Sequence, residues 1–332
     1  MEDVDEPVDA ATLVTIDDVR AAASRVAGRV VRTQLLPCPW ADQQLWLKPE
    51  NLQPTGAFKM RGAFNAIGML EPATRARGVI THSSGNHGRA LAWVARTYGI
   101  PAVVVMPDTS PEVKVQATRE LGAEIVIVPR TEREARTTAL ADDRGLTVVP
   151  PFDHPDVIAG QGTVGLEIVA DLPGVDTVLA PVGGGGLISG VAVAVKALRP
   201  QVRIVGVEPE LAGDLAEGFA TGERVAWDPA LTYRTIADGV RLPAVGELTW
   251  PHIARLVDDV VTVSEQSILD AMLVLARASH VVAEPSGALT VAACLERPTV
   301  VHGRTVAIVS GGNVDPALMA RVLTLPTGPA GQ

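Results

Sequence analysis

Short runs rich in valine and isoleucine alternate with amphipathic stretches along most of this chain. From Gly78 the order is VITHSS, a helical stretch through RALAWVARTYG ending at Gly99, then AVVVMP. A helix opened by Ser110 and Pro111 and closed at Gly122 follows, then EIVIVP, a helix through EREARTTALADD, and TVVP. Strands of this length separated by helical crossovers predict parallel βαβ units, because parallel neighbours cannot be joined by a tight turn. Residues 67–150 therefore read as one small doubly wound unit. A helix near 157–171 leads into DTVLAPV, the run GGGG, the helix LISGVAVAVKAL and the strand RIVGVEP. After a stretch of about 210–256 whose Pro/Gly punctuation resists assignment, DDVVTVS, SILDAMLVLARAS, SGALTVAACLE, TVAIVSGGN and PALMARVL complete a second α/β unit around the first. The expected class is α/β with two doubly wound open-sheet domains: 1–66 with 151–332 as the large one, 67–150 as the small one. Ligands of open sheets bind beyond the strand C-terminal ends, so the cleft between the units is the expected site.

Composition narrows the chemistry. A net charge of −10 with no basic stripe argues against nucleic acid as a partner. The acidic opening MEDVDEPVD has no signal-peptide pattern, and no apolar run approaches the ~18 residues of a membrane span. Two cysteines, Cys38 and Cys294, without a CxxC or Cys/His cluster, fit a reducing compartment and inert buried thiols. A cytoplasmic protein is expected.

Among only four lysines, Lys59 lies in TGAFKMRG. A Schiff base needs an amine, which arginine cannot supply. Thr55 reads as an N-cap, with Met60, Ala63, Phe64 and Ile67 at helical spacing, so a helix is expected from near Gly56 with Lys59 in its opening turns. The helix dipole and the neighbouring Phe58 would both favour the neutral amine. A solvated surface lysine accounts for the same segment equally well.

Three loops follow predicted strands. In Ser83–Gly88, SSGNHG, backbone amides and hydroxyls at a helix start form a receptor for a carboxylate; an ordinary N-cap turn would read the same. Gly183–Gly186 suits a phosphate, since four glycines cost backbone entropy and no carboxylate follows in the first helical turns. No GK[ST] follows them, and GxGxxG is broken by Ile188 and Ser189. Ser310-Gly311-Gly312-Asn313 either presents a hydroxyl to the edge of a flat ring or caps a helix. An amine, a phosphate cradle, a carboxylate cradle and a neutral hydroxyl together describe a site for pyridoxal phosphate carrying an amino acid. A nicotinamide-dependent oxidoreductase is the rival from another chemistry, because Glu208 lies about 20 residues after the glycine run, where a ribose-binding acid belongs.

The segments KPENLQPTGAFKMRGAFNA, SSGNHGRALA, VIAGQGTVGLEI, PVGGGGLISG, VGVEPE, TIADGV, EPSGA and SGGNVD resemble, in order and over about residues 30–320, the fold-type II pyridoxal-phosphate enzymes of the threonine/serine dehydratase and serine racemase family. The resemblance implies that Lys59 bonds to the cofactor aldehyde and acts as base on one face of Cα, with Phe58 beside the ring and Asn86 on its 3′-oxygen. It places Gly183, Gly184, Gly185, Gly186 and Leu187 on the phosphate, Ser310 at the ring nitrogen, and Gly239 and Glu284 beside the cofactor. Ser83, Ser84, Gly85, Asn86 and His87 would wrap the substrate carboxylate, with Ser84 opposite Lys59 as in racemases. Asp238 and the stretch Pro151, Phe152, Asp153 and His154 are candidates for reading the substrate side chain. Glu208, the Ala212 carbonyl and Asp214 align with a site for Mg²⁺ or Ca²⁺; a solvated acidic loop is the alternative for this trio. The implied activity is dehydration and deamination of a β-hydroxy amino acid, L-threonine or L-serine, to a 2-oxo acid and ammonia. Serine racemisation and 3-hydroxyaspartate dehydration are alternatives within the family. A homodimer is implied by the resemblance alone. The few residues after the last predicted helix are not expected to hold an isoleucine-sensing module.

Overall fold

The computed structural model describes residues 13–41, 44–83, 85–110 and 112–325, the side chain of Val113 excepted. Two open sheets organise them. The smaller contains β3 (Val79–His82), β4 (Ala102–Pro107), β5 (Glu124–Val128) and β6 (Thr147–Val148), in the spatial order β5-β4-β3-β6 and entirely parallel. The larger runs β1-β2-β10-β7-β8-β9, from β1 (Leu36–Pro37), β2 (Leu45–Pro49), β7 (Thr177–Pro181), β8 (Arg203–Pro209), β9 (Asp259–Val263) and β10 (Thr305–Val309). Only β1 is antiparallel to its neighbour within it.

The helices are α1 (Ile16–Val26), α2 (Lys59–Met69), α3 (Pro72–Arg77), α4 (Asn86–Tyr98), α5 (Glu112–Glu120), α6 (Arg133–Arg144), α7 (Pro155–Asp171), α8 (Gly186–Leu198), α9 (Asp214–Thr221), α10 (Pro229–Thr232), α11 (Thr249–Leu256), α12 (Glu265–Ala278), α13 (Pro285–Glu296) and α14 (Pro316–Leu323). Their ends follow local chemistry. Thr15 and Asp18 form a reciprocal capping box on α1, Ser264 caps α12, and Gly99 ends α4 in the left-handed conformation at φ 67°. Val/Leu/Ala-rich α8 and α13 are buried on almost every face, which is why neither shows a polar stripe.

The strand order decides what meets what. β2 comes from the beginning of the chain and lies in parallel register beside β10 from its end, Leu45 opposite Thr305 and Pro49 opposite Val309. With β7 and β8 next in line, the loops leaving β2, β10, β7 and β8 emerge side by side at one edge. Those loops carry Lys59, Ser310, the glycine run and the residues after Glu208. The stretch 210–256 resolves into a 3₁₀ turn at Glu210–Ala212, α9, α10, a second 3₁₀ turn at Asp238–Val240, and α11. Its elements are three to eight residues long, too short for a hydrophobic period to register in the sequence.

Candidate active site

Lys59 is the first residue of α2, and Phe58, not Thr55, is the N-cap. The expected helix start near Gly56 is wrong for a backbone reason: Gly56 has φ 78°, a left-handed conformation that cannot open a helix. Ala57 instead bridges Gly311, the Phe58 amide donates to the Ser310 carbonyl at 3.0 Å, and the Gly312 amide donates to the Gly56 carbonyl at 2.9 Å. The lysine loop and the Ser310 loop are thus stitched together. The Thr55 hydroxyl, left without a helix to cap, is buried and has no partner.

The Lys59 ammonium nitrogen donates to the Pro151 carbonyl at 2.6 Å and lies 5.1 Å from the centre of the Phe58 ring. Burial lowers its pKa to about 8, the direction expected from the sequence. Next to Pro151, the Phe152 ring lies where a Cβ on Gly184 would project, and Phe152 also bounds Gly186. A Cβ on Gly183 would come within 2.9 Å of the Val240 Cα, and one on Gly185 within 2.8 Å of Thr249 Oγ1 and Ile253 Cδ1. Gly185, at φ 86°, is the left-handed cap of α8. Every glycine of the run is therefore required by packing as well as by any ligand. What the run exposes is the opening of α8, where first-turn amides have no intrahelical acceptor and no acidic side chain intrudes. Leu187 is buried in that first turn.

Ser310 ends β10, and its hydroxyl makes a long bond of 3.4 Å to the Ser286 carbonyl. Ser286 Oγ accepts the Gly239 amide at 2.8 Å, which draws the Asp238–Val240 turn to the same place. Asp238 is ion-paired with Lys114 of α5, so its carboxylate faces the smaller sheet's helices. Glu284, the N-cap of α13, makes no cap bond; its Oε1 accepts Asn86 Nδ2 at 2.5 Å. Burial, then repulsion from Asp238, raises the Glu284 pKa to about 7.

From the carboxylate loop, Ser83 Oγ accepts the Gly85 amide at 3.3 Å, and Asn86 opens α4. Ser84 lies outside the described residues. His87 is buried, with Nε2 at 2.9 Å from the Val149 carbonyl; Nε2 must donate there, leaving Nδ1 a bare acceptor with no partner. Burial, then the neighbouring Lys59, drives its pKa down to about 3, so the ring is neutral. Of the stretch proposed to read the side chain, Asp153 accepts the Glu247, Leu248 and Thr249 amides at the start of α11, and His154 Nδ1 accepts the Asp156 amide as the N-cap of α7. Those two side chains are spent on helix ends. Pro151 and Phe152 are the members that face Lys59 and the glycines.

Glu208 and Asp214 form a separate buried pair. Glu208 accepts the Leu215 and Ala216 amides at 3.3 and 2.8 Å, while Asp214 Oδ2 is buried with no partner. Burial, then Asp214, raises Glu208 well above the carboxylate range, and burial raises Asp214 to about 7. Among the described residues no three His, Cys, Asp or Glu side chains converge on one point. Two carboxylates and the Ala212 carbonyl in the turn before α9 are the available oxygens. An orphaned buried carboxylate oxygen beside a second carboxylate fits a hard cation. The oxidoreductase rival fares badly here, because Glu208 is 1% exposed and both its oxygens are held by backbone amides.

The contacts close a ring: Lys59 to Pro151, the adjoining Phe152 to the glycine run, Gly183 to Val240, Gly239 to Ser286, Ser286 to Ser310, and Ser310 back to Phe58. A buried amine, an amide-lined helix start, a hydroxyl and a carboxamide, each from a different element, suit the aldehyde, phosphate, ring nitrogen and ring oxygen of pyridoxal phosphate. The orphaned His87 Nδ1 beside Lys59 is a further unused polar atom in that ring. Two participants were not singled out beforehand. Asn313, in the quoted SGGN, donates Nδ2 to Asn86 Oδ1 at 2.7 Å and to the Thr55 carbonyl at 2.8 Å, and Arg89 donates to Asn313 Oδ1 at 2.6 Å. The asparagine in a strand-end glycine loop was the only sequence signal for either.

The chain matches the family model described as pyridoxal-phosphate dependent enzyme over residues 26–311. It is 41% identical to the L-threonine ammonia-lyase of Thermotoga maritima, covering 94% of this chain and 78% of that protein. It is likewise 41% identical to the L-threo-3-hydroxyaspartate ammonia-lyase of Saccharomyces cerevisiae, covering 95% and 97%. The structure of maize serine racemase superposes with a TM-score of 0.87 at 38% identity, covering 93% and 96%. The two-sheet α/β architecture is common to this chain and that enzyme.

Proposed function

The chain belongs to the pyridoxal-phosphate dependent enzyme family, and from that premise we propose that it is an ammonia-lyase that converts a β-hydroxy amino acid, L-threonine or L-serine, to a 2-oxo acid and ammonia. The observation that carries this reading is the Lys59 amine, held against the Pro151 carbonyl and lowered by desolvation to about pKa 8. Bound pyridoxal phosphate supplies the aldehyde and the electron-accepting ring that make a Cα proton removable.

The protein's own groups do the rest. Lys59 Nζ, its pKa lowered by burial to about 8, takes the Cα proton. Gly183–Leu187 hold the phosphate by amides and the α8 dipole. Ser310, uncharged, would meet the ring nitrogen without holding a proton on it, which would favour loss of the β-hydroxyl. Asn86 would donate to the ring oxygen, Phe58 would pack beside the ring, and Gly239 and Glu284 would lie beside the cofactor. The amides and side chains of Ser83, Gly85, Asn86 and His87 bind the substrate carboxylate. Ser84 is assigned the opposite face of Cα on resemblance alone. We assign residues 1–66 with 151–332 to the cofactor unit and 67–150 to the unit that brings the carboxylate loop; the four-stranded sheet inside the latter span supports the division. Glu208, Ala212 and Asp214 would hold Mg²⁺ or Ca²⁺. A homodimer is supported by the resemblance, and a cytoplasmic setting by two unpaired, buried cysteines with thiol pKa values pushed up to about 12. Among the described residues no helix is long and apolar enough to cross a membrane.

A second reading, 3-hydroxyaspartate as substrate, is favoured by the Lys114 cation at Asp238, which a second carboxylate on the substrate would also attract. Incubating the purified holoenzyme with L-threonine, L-serine and L-threo-3-hydroxyaspartate, with 2-oxo acid release as readout and chiral analysis of residual serine, separates the readings. Release from the monocarboxylic substrates supports the first. A preference for the dicarboxylic one that Lys114→Met cuts about tenfold, the worth of roughly 1.4 kcal/mol, supports the second. No 2-oxo acid from any of them refutes both.

A further inference from the structure

A carboxamide is nearly symmetric in shape, yet its two ends are opposite in chemistry, and nothing in Asn86 itself decides which end faces the cleft. The neighbours decide it. Arg89, one turn along α4, has only donors to offer, and its Nη1 meets Asn313 Oδ1 at 2.6 Å. That contact makes the Asn313 oxygen an acceptor and turns its nitrogen the other way. Asn313 Nδ2 then spends one hydrogen on the Thr55 carbonyl at 2.8 Å and the other on Asn86 Oδ1 at 2.7 Å. The Thr55 carbonyl, which can only accept, confirms the orientation independently. With its oxygen engaged, Asn86 presents Nδ2, and one hydrogen of that group goes to Glu284 Oε1 at 2.5 Å. The second hydrogen is left for another acceptor. Asn313 packs directly against Gly56, where an added Cβ would lie 2.5 Å from its Oδ1.

We propose that Arg89 and Asn313 are positioning residues that set the polarity of the Asn86 carboxamide, so that it donates to, and never accepts from, the ring oxygen of the cofactor. The proposal rests on the reading of Asn86 given above. Its physical consequence is that an anionic ring oxygen meets a donor already aimed by a relay whose first member can only donate. Reversing any link would place the Asn86 carbonyl against that oxygen, a repulsion in place of a charge-assisted bond.

Asn313→Asp tests this with the least change in shape, because aspartate cannot donate to Asn86 Oδ1. Arg89→Met removes the first donor, and Arg89→Lys restores a donor-only head. Each holoenzyme is titrated for the pH midpoint of the bound cofactor's absorbance, and each cofactor-free protein is titrated with pyridoxal phosphate for affinity. Circular dichroism identifies any variant that fails to fold. Asn313→Asp and Arg89→Met are expected to weaken cofactor binding about tenfold or more and to move the midpoint, while Arg89→Lys stays close to the parent. Folded Asn313→Asp with parental midpoint and affinity overturns the relay, as does Arg89→Lys behaving like Arg89→Met. A parent protein that binds no pyridoxal phosphate overturns the reading of the site itself, and the relay with it.

Discussion

Arg61 and Glu50 form a two-pronged ion pair, Nε to Oε2 and Nη2 to Oε1 at 2.7 Å each, and neither side chain is exposed to solvent. Arg61 is two residues beyond Lys59 on α2, and Glu50 follows β2. Glu167 of α7 accepts from the same guanidinium and from Lys48, whose ammonium also reaches the Thr33 carbonyl. Two cations and two anions balance inside the protein. Burial alone would raise the Glu50 pKa, but the Arg61 charge and hydrogen bonds, the Lys48 charge and the Thr33 hydroxyl together outweigh it and hold the group ionised. This cluster ties the start of α2, and so Lys59, to β2 and α7.

Arg61→Met should therefore strand the buried Glu50 carboxylate, while Glu167 keeps Lys48. A loss of about 3–5 kcal/mol is expected, because removing one partner of a buried pair leaves its charge uncompensated. Denaturant unfolding of the parent and variant measures it. Pairing the change with Glu50→Gln should return part of that loss, and a double variant no better than the single would show that the pair is not the source.

Lys59 carries a pH signature in the cofactor-free protein. Its folded pKa of about 8 lies below the ordinary lysine value of 10.5, so between these values the unfolded chain binds more protons than the folded one. Stability from this group consequently rises with pH through the window from about 8 to 10.5 and shows no such rise below it. Melting temperatures of the parent and of Lys59→Met across pH 7–11 should converge at the alkaline end. A difference that stays constant across the range would place the amine in solvent.

Asp214 offers a test of the cation site. Millimolar Mg²⁺ or Ca²⁺ is expected to raise the melting temperature of the parent by mass action on the folded state. Asp214→Asn should abolish that response, and a parent protein indifferent to either ion or to a chelator would assign the pair a structural role.

Much of the site was legible in the chain because its chemistry is written in short local segments. A lone lysine in TGAFKMRG, SSGNHG before a helix, GGGG after a strand and SGGN at another strand end each announce a loop with a job. The misreadings were local choices with a distant answer. Thr55 has the side chain of an N-cap, but Gly56 pairs with the loop of Gly312 and moves the helix start to Lys59. Asp153 and His154 look like polar readers of a substrate, yet α11 and the start of α7 claim them.

Sequence alone determined the alternation of strands and helices and the loops that follow the strands, and it marked Lys59 as the candidate amine, since these depend on periodicity and residue type over a few neighbours. Tertiary structure decided which loops meet. The pairing of β2 with β10 joins residues about 260 positions apart, and no local preference encodes a register between strands so distant. The same holds for the direction in which Asn86 points: its two ends are alike to the backbone, and its contacts with Asn313 and Glu284, which arrive from other elements, with Arg89 behind Asn313, break the tie.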